Sequence, residues 1–351
     1  MQSEGNLPLP AETVTVAELL KSAGYKTGIM GKWGLGGPND FGHPNRQGFD
    51  YSFCYLDQRL AHNYYPDHLW KNFEKVSLNG AYSHTIFANE ALSFISRNKN
   101  NPFFLYLPFT IPHGKFQIPD DSPYSNKPWT TNQKNYAAMI TLMDKDIGRI
   151  LSLLDSLGLD ENTVVFFASD NGGVKGMSDF FNSNGNLRGY KTDIFEGGIR
   201  APLVVRWPGK ITENSQSAHI SAFWDMLPTF CEIAGVASPK DIDGISLLPA
   251  LLNQSQNEHE FLVWEYFYYN YSWKPKSTMS RNYLQSQAVR MGKWKGLKKG
   301  LKPDTDSPVE LYDLSEDAGE QNNVAEQYPE IVAKIQQIME SEHADSKYFK
   351  K

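Results

Sequence analysis

Two short apolar runs limit what this chain can fold into. Phe103-Phe104-Leu105-Tyr106-Leu107 follows Pro102, and Thr163-Val164-Val165-Phe166-Phe167-Ala168 leads into Ser169-Asp170-Asn171-Gly172. Runs this short, without polar alternation, suit strands covered on both faces, as in parallel sheets. The segments around them carry helical periodicity. Val16, Leu19, Leu20 and Ala23 share one face of a helix predicted over Thr13 to Ala23, with Gly24 suited to the left-handed residue that ends helices. A second helix is predicted over Tyr82 to Arg97. A third runs over Asn135 to Leu157, where Ile140, Met143, Ile147, Ile150, Leu151 and Leu154 recur at helical spacing. Lys26 to Met30 and Pro202 to Arg206 read as further strands, and Phe223 to Ile233 as a helix.

Strands alternating with helices predict an α/β fold built on a mostly parallel central sheet. After about Leu251 the pattern changes. Leu262 to Tyr269, Gln287 to Met291, Lys293 to Leu297 and Val309 to Leu314 read as short strands joined by turns, and Pro329 to Glu340 as a closing helix. The expected organisation is a main α/β domain over 1–250 and a small antiparallel subdomain with a terminal helix over 251–351.

Composition narrows the function classes. The 351 residues suffice for one large domain, or a large one plus a small one. With 40% hydrophobic and 21% charged residues the chain reads as globular. A net charge of −6 without a basic run argues against a nucleic-acid partner. No apolar stretch approaches the ~20 residues that span a bilayer, so no transmembrane segment is expected. The two cysteines, Cys54 and Cys231, cannot build a disulfide framework and read as buried free thiols. Met1 to Pro10 lacks the charged start and apolar centre of a secretion signal and reads as a loop leading into a helix. A domain of this class is expected to open on a core strand, and none is visible here.

Four places could carry chemistry. Asp170 and Asn171 follow a buried strand at the sheet edge where ligands bind in open α/β folds. Their side-chain oxygens suit a hard cation such as Ca²⁺, although Ca²⁺ takes 6–8 oxygens and an Asp-Asn-Gly turn is the plain alternative. Lys32 lies in the glycine-rich stretch Gly31-Lys32-Trp33-Gly34-Leu35-Gly36-Gly37-Pro38, where backbone can approach an anion closely and a lysine can bind a sulfate or phosphate oxygen. His113, in Ile111-Pro112-His113-Gly114, follows an apolar strand and could protonate a leaving group or merely cap a turn. Lys191 precedes Glu196-Gly197-Gly198-Ile199-Arg200-Ala201-Pro202 and could be a second anion-binding cation or a solvated loop lysine. All four fall at predicted strand ends that could converge.

In this order, these motifs resemble the sulfatase family of the alkaline-phosphatase-like superfamily. The matching stretches run from Ala23-Gly24-Tyr25-Lys26-Thr27-Gly28-Ile29-Met30-Gly31-Lys32-Trp33-Gly34-Leu35-Gly36 through Pro112-His113 and Ser169-Asp170-Asn171-Gly172-Gly173 to Lys191 and Glu196 to Pro202. Ala288 to Lys295 and Leu311-Tyr312-Asp313-Leu314 are similar to the end of a sulfatase. The resemblance covers essentially the whole chain and is strongest to the arylsulfatase branch. It implies an α/β/α sandwich and hydrolysis of an aryl or carbohydrate sulfate ester by a formylglycine hydrate, with a bound Ca²⁺. Carried over by position, Asp170 and Asn171 become metal ligands, Lys32 holds the formylglycine and a sulfate oxygen, and His113 and Lys191 bind sulfate and assist the leaving alcohol.

Two departures matter. Gly34 stands where the family's Gly-Lys-Trp-His carries a histidine that helps break down the sulfated intermediate, and His43 and His62 lie nearby in sequence. The formylglycine signature, Cys/Ser-x-Pro-x-Arg, fits neither Cys54 nor Cys231. The resemblance places that signature, with an acidic pair that completes the metal cage, upstream of Met1. The chain is then expected to hold a metal weakly and to lack a nucleophile by itself. Two other readings stay open: a non-catalytic protein that binds sulfated ligands, and a metal-dependent phosphatase or phosphotransferase of the same superfamily. Family habit favours a periplasmic or secreted location. An incomplete domain also predicts an open sheet edge with exposed apolar surface.

Overall fold

In the computed structural model, residues 8–268, 283–302 and 307–344 are described. They fall into two compact units, unit 1 comprising 1–165 with 206–257 and unit 2 comprising 166–205 with 258–351.

Unit 1 opens with helix α1 (Val16–Ser22), strands β1 (Lys26–Lys32), β2 (Tyr51–Tyr55), β3 (His68–Lys71) and β4 (Glu74–Ser77), and helix α2 (Ser83–Asn98). Strand β5 (Phe103–Tyr106) and the long helix α3 (Thr131–Ser156) follow. Capping decides two helix starts that periodicity misplaces. Thr15 and Glu18 form a reciprocal capping box, so α1 begins after Thr15 rather than at Thr13. Thr130 and Gln133 do the same for α3, which gains a polar first turn ahead of Asn135.

The five-stranded sheet has the order β4-β3-β2-β1-β5. β1 pairs in parallel with both β2 and β5, while β2–β3 and β3–β4 are antiparallel. The parallel heart is as expected, and the β3–β4 ribbon makes the whole sheet mixed. Both faces of its centre are covered. Met30, Phe53, Tyr55 and Leu69 pack on Phe87 and Phe94 of α2, while Ile29, Cys54 and Leu56 pack with Ala17 of α1. Gly28 is required there, because a Cβ would lie 2.7 Å from the Phe94 ring.

β5 departs from the expectation of a buried strand. It is an edge strand with one ladder partner; Phe103, Phe104 and Leu105 are only half-buried and Tyr106 is 47% exposed. Strand β6 (Val165–Ala168) behaves alike, pairing only with β7 (Leu203–Arg206) and leaving Phe167 38% exposed. Both runs have the composition of central strands but sit at open edges among the described residues. A strand with one ladder partner leaves its second edge and part of both faces to solvent.

The remaining elements are α4 (Lys175–Phe181), α5 (Glu196–Ile199), α6 (Met226–Ala234) and α7 (Leu248–Leu251), then β8 (Leu262–Tyr268), β9 (Tyr283–Met291), β10 (Trp294–Lys299), β11 (Glu310–Asp313) and α8 (Pro329–Ser341). The expected end of β8 at Tyr269 lies outside the described residues. In unit 2, β11-β10-β9-β8 form an antiparallel sheet, as the turn-separated runs predict. One face is covered by Ile335, Ile338 and Met339 of α8, which pack on Val289, Val309 and Leu311. The other face, with Ala288, Leu297 and Tyr312, packs against Ile194 and Phe195. No helix among the described residues is long and apolar enough to cross a membrane.

Candidate functional site

Unit 1 carries Lys32 at the C-terminal end of β1 and His113 on the segment beyond the C-terminal end of its parallel neighbour β5. Lys32 is the last residue of β1, opposite Tyr55 of β2, rather than part of a loose glycine loop. Gly31 has φ +138°, and any Cβ there would run into the Pro108 carbonyl, so glycine lets β1 close on the segment after β5. The Lys32 N–H then donates to Pro108 O at 2.9 Å. The Lys32 side chain therefore leaves from rigid sheet backbone.

His113 follows β5 by a short turn, its N–H donating to Thr110 O at 3.1 Å. The fully buried Tyr64 fixes this turn by donating to Thr110 O (3.0 Å) and His113 O (2.6 Å). His113 Nδ1 lies 2.5 Å from Gly114 O, an acceptor only, so Nδ1 carries the proton. In the neutral ring Nε2 then holds the lone pair, and in the cation it is the acidic N–H.

Of the two histidines near Gly34 in sequence, His43 is structural. It is fully buried, accepts the Asn45 N–H at Nδ1 and donates from Nε2 to Asn72 O. Burial lowers its pKa to about 4, against a weaker upward pull from the Asn72 carbonyl, so it is neutral at ordinary pH. His62, in contrast, stacks on His113, with ring centroids 4.7 Å apart and planes at 6°. Gly34 has φ +72°, and a Cβ built there would lie 2.6 Å from Gln58 Nε2, so Gln58 fills the space a side chain at 34 would need.

Unit 2 carries Asp170, Asn171 and Lys191. Asp170 is exposed just past β6, and Asn171 donates from Nδ2 to Gly172 O, which leaves its Oδ1 as an acceptor. The Lys191 N–H donates to Gly173 O at 2.9 Å, bringing the lysine's backbone to the Asp-Asn-Gly turn. Thr192 has φ +80°, a costly conformation for a β-branched residue, and the strain sits directly beside Lys191. Asn184 binds this cradle together, accepting from the Gly173 N–H and donating to Gly189 O and Gly197 O. Gly172 donates to Gly198 O at 2.9 Å, and a Cβ at 172 would overlap the Gly197 carbonyl.

A buried ionic cluster anchors this cradle. Lys295, on β10 and 0% exposed, sits 2.8 Å from Glu196 Oε1 and 3.1 Å from Glu320 Oε1. Glu320 Oε2 accepts the Glu196 N–H at 2.7 Å, and Glu320 O accepts from Arg188 at 2.7 Å. Burial holds the Glu320 carboxyl above the ordinary range, against the pull of Lys295. Sequence reading takes Glu196 and Lys295 as motif letters and does not foresee that they meet. The available signal was a lysine at an inward position of an otherwise buried strand, between Trp294 and Leu297.

Ca²⁺ asks more than the described residues supply. Asp170 and Asn171 offer hard oxygens of the right chemistry, but they are two ligands. No group of three or more His, Cys, Asp or Glu placed to hold a metal occurs among the described residues. The cysteines are free and buried, as expected, and burial pushes both thiols up, which disfavours the reactive thiolate.

Comparison with known proteins gives these residues their context. The likeness in structure is to Ps i-CgsB, solved in complex with k-i-k-neocarrahexaose, at a TM-score of 0.80 and 26% identity over 97% of this chain and 77% of that one. The fold is thus the alkaline-phosphatase-like α/β fold of the sulfatases. A sulfatase family model matches residues 2–236, and one for the C-terminal part of N-sulphoglucosamine sulphohydrolase matches 190–345. The N-acetylgalactosamine-6-O-sulfatase of Bacteroides thetaiotaomicron is 31% identical over 96% of this chain and 78% of its own length. The N-acetylgalactosamine-6-sulfatase of Canis lupus familiaris is 35% identical over 70% of this chain, which spans 49% of that relative. The chain belongs to the sulfatase family.

Proposed function

We propose that this chain is the sulfate-handling part of a sulfuric ester hydrolase acting on a sulfated carbohydrate. The observation that carries this is that Lys32 ends β1 while His113 lies on the turn that follows its parallel neighbour β5, one a cation and one an acid–base group with a defined tautomer. Hydrolysis of a sulfate ester needs cations on the non-bridging oxygens and a proton for the departing alcohol oxygen. In unit 1, Lys32 supplies positive charge and His113 the proton from Nε2; in unit 2, Lys191 supplies a further anion-binding cation. Asp170 and Asn171 would hold a Ca²⁺, which when bound polarises the ester and offsets charge on sulfate. The nucleophile is assigned to a formylglycine outside these 351 residues, since no Cys/Ser-x-Pro-x-Arg occurs within them. The chain alone then binds substrate without turning it over. The relatives' names favour a sulfated N-acetylgalactosamine unit, and family habit a periplasmic or secreted protein.

Calorimetry with N-acetylgalactosamine 6-sulfate, the unsulfated sugar and CaCl₂, beside an assay for released sulfate, tests this reading. The sulfated sugar is expected to bind, the unsulfated one to bind at least tenfold more weakly, and no sulfate to appear. Lys191→Ala should weaken binding by about tenfold. Equal binding of the two sugars would rule the reading out.

A further inference from the structure

The stack of His62 on His113 is built by the fold. His62 ends the short turn Leu60–His62 after β2, and Asp57 holds that turn by accepting the Arg59 and Leu60 N–H groups. Two residues on, Tyr64 reaches across to the His113 carbonyl, and its own N–H donates to Gln117 at 3.0 Å. Tyr55 adds a third tie, donating to Asn63 O at 2.8 Å. The segment carrying His62 is thus bound through Tyr64 to the turn carrying His113 and through Asn63 to β2, which holds the parallel rings in register. Across the same strand ends, position 34 beside Lys32 offers no side chain, and Gln58 of the 56–64 segment fills its place.

Two imidazoles face to face at 4.7 Å cannot be protonated independently, because each charge disfavours the other. The charged groups on the segments that carry or pack against the pair include Asp67, bonded to His68, and Asp120 and Asp121 beyond His113. They also include Lys32 on β1, Asp57 and Arg59 on the turn, Lys115 after His113, and the buried His84, whose Nε2 lies 3.2 Å from Asp146 of α3. Burial keeps the phenols of Tyr64 and Tyr82 neutral. Asp57 is engaged by backbone, and Asp146 by His84 and Arg149.

We propose that His62 is the proton-sharing partner of His113: the stacked pair carries one proton near neutral pH and takes up a second when an oxyanion binds beside Lys32. This rests on the sulfate-binding reading above. A bound sulfate dianion would supply the charge that lets both rings be cationic, so the pair becomes a second anion-binding element at a place where residue 34 contributes nothing.

The test is an NMR pH titration of ring-¹³C histidine in the whole chain, with and without inorganic sulfate, for the native protein, His62→Phe and His113→Phe. Phenylalanine keeps the stack and removes the charge. Without sulfate, His113 should titrate about 0.5 to 1 unit higher in His62→Phe than in the native chain. His62 should move likewise in His113→Phe, which serves as the measurement should one variant fail to fold. Sulfate should raise both midpoints in the native protein. Unchanged midpoints in both variants would overturn the pairing. If the variants shift as expected but sulfate moves neither ring, the pairing stands and the sulfate reading is what fails.

Discussion

The two units hold their candidate residues by different means. In unit 1, Lys32 ends β1 opposite Tyr55 of β2, and His113 sits on the turn after β5, which backbone bonds and the Tyr64 hydroxyl hold in place. In unit 2, Asp170, Asn171 and Lys191 lie in loops braced by glycine contacts and by the buried Glu196–Lys295–Glu320 cluster. The comparison teaches where each is vulnerable. A ladder is redundant, since many backbone bonds share the load. A buried ionic brace has desolvated each of its members, and losing one strands the others.

The largest expected effect follows from that asymmetry. Lys295→Met leaves two carboxylates buried without their cation and should cost unit 2 about 3–5 kcal/mol. Hydrogen exchange should rise across 170–198 and the β9–β11 sheet while β1, β2 and β5 keep their protection. A loss below ~1 kcal/mol would mean that glycine contacts and backbone bonds alone hold the cradle.

Acid should act next, and on unit 1. His43 is neutral when folded and titrates at about 4, below its ordinary 6.5. Its contribution is therefore fully present above 6.5 and is lost as pH falls through about 4, up to ~3 kcal/mol at 1.36 kcal/mol per unit. Glu320 carries the opposite sign: its pKa is raised, so the penalty for its buried charge eases as pH falls through its folded value. Urea midpoints of unit 1 measured from pH 7 to 4 should fall less in His43→Gln than in the native chain. Parallel curves would remove His43 from the account.

Smaller effects separate backbone from side-chain crowding. Gly172→Ala meets a carbonyl that cannot move and should cost about 2–3 kcal/mol, whereas Gly34→Ala meets the flexible end of Gln58 and should cost about 1 kcal/mol, mostly for its positive φ. Thermal melts of the two variants rank them, and a reversed order would mean that Gln58 is locked in place. The smallest change in stability is expected for the exposed Asp170→Ala, within about 0.5 kcal/mol, yet by removing a proposed Ca²⁺ ligand it should abolish any Ca²⁺ binding that calorimetry detects in a protein with a complete metal site. Unchanged Ca²⁺ affinity would remove Asp170 as a ligand.

Much of this architecture was legible in the letters. Period-3.6 stripes located α2 and α3, apolar runs located β5 and β6, and turn-separated runs located the β8–β11 sheet. The β3–β4 ribbon was not legible, because His68 to Lys71 and Glu74 to Ser77 alternate too briefly to stand out from the loop around them. Lys32 was read into a glycine loop because glycine looks like loop by composition. In the fold Gly31 serves close packing inside a strand.

What the sequence determined by itself is what short-range patterns encode: the alternation of strands and helices, the family, and which residue types stand at strand ends. Those signals repeat within a few residues and need no partner to be read. Tertiary structure alone decided that His62 lies on His113, that Lys295 is sealed between two glutamates, and that β5 and β6 are edges despite their central composition. Each of these depends on register and contact between segments far apart in the chain, and a residue's own neighbours in sequence carry no record of what will be packed against it.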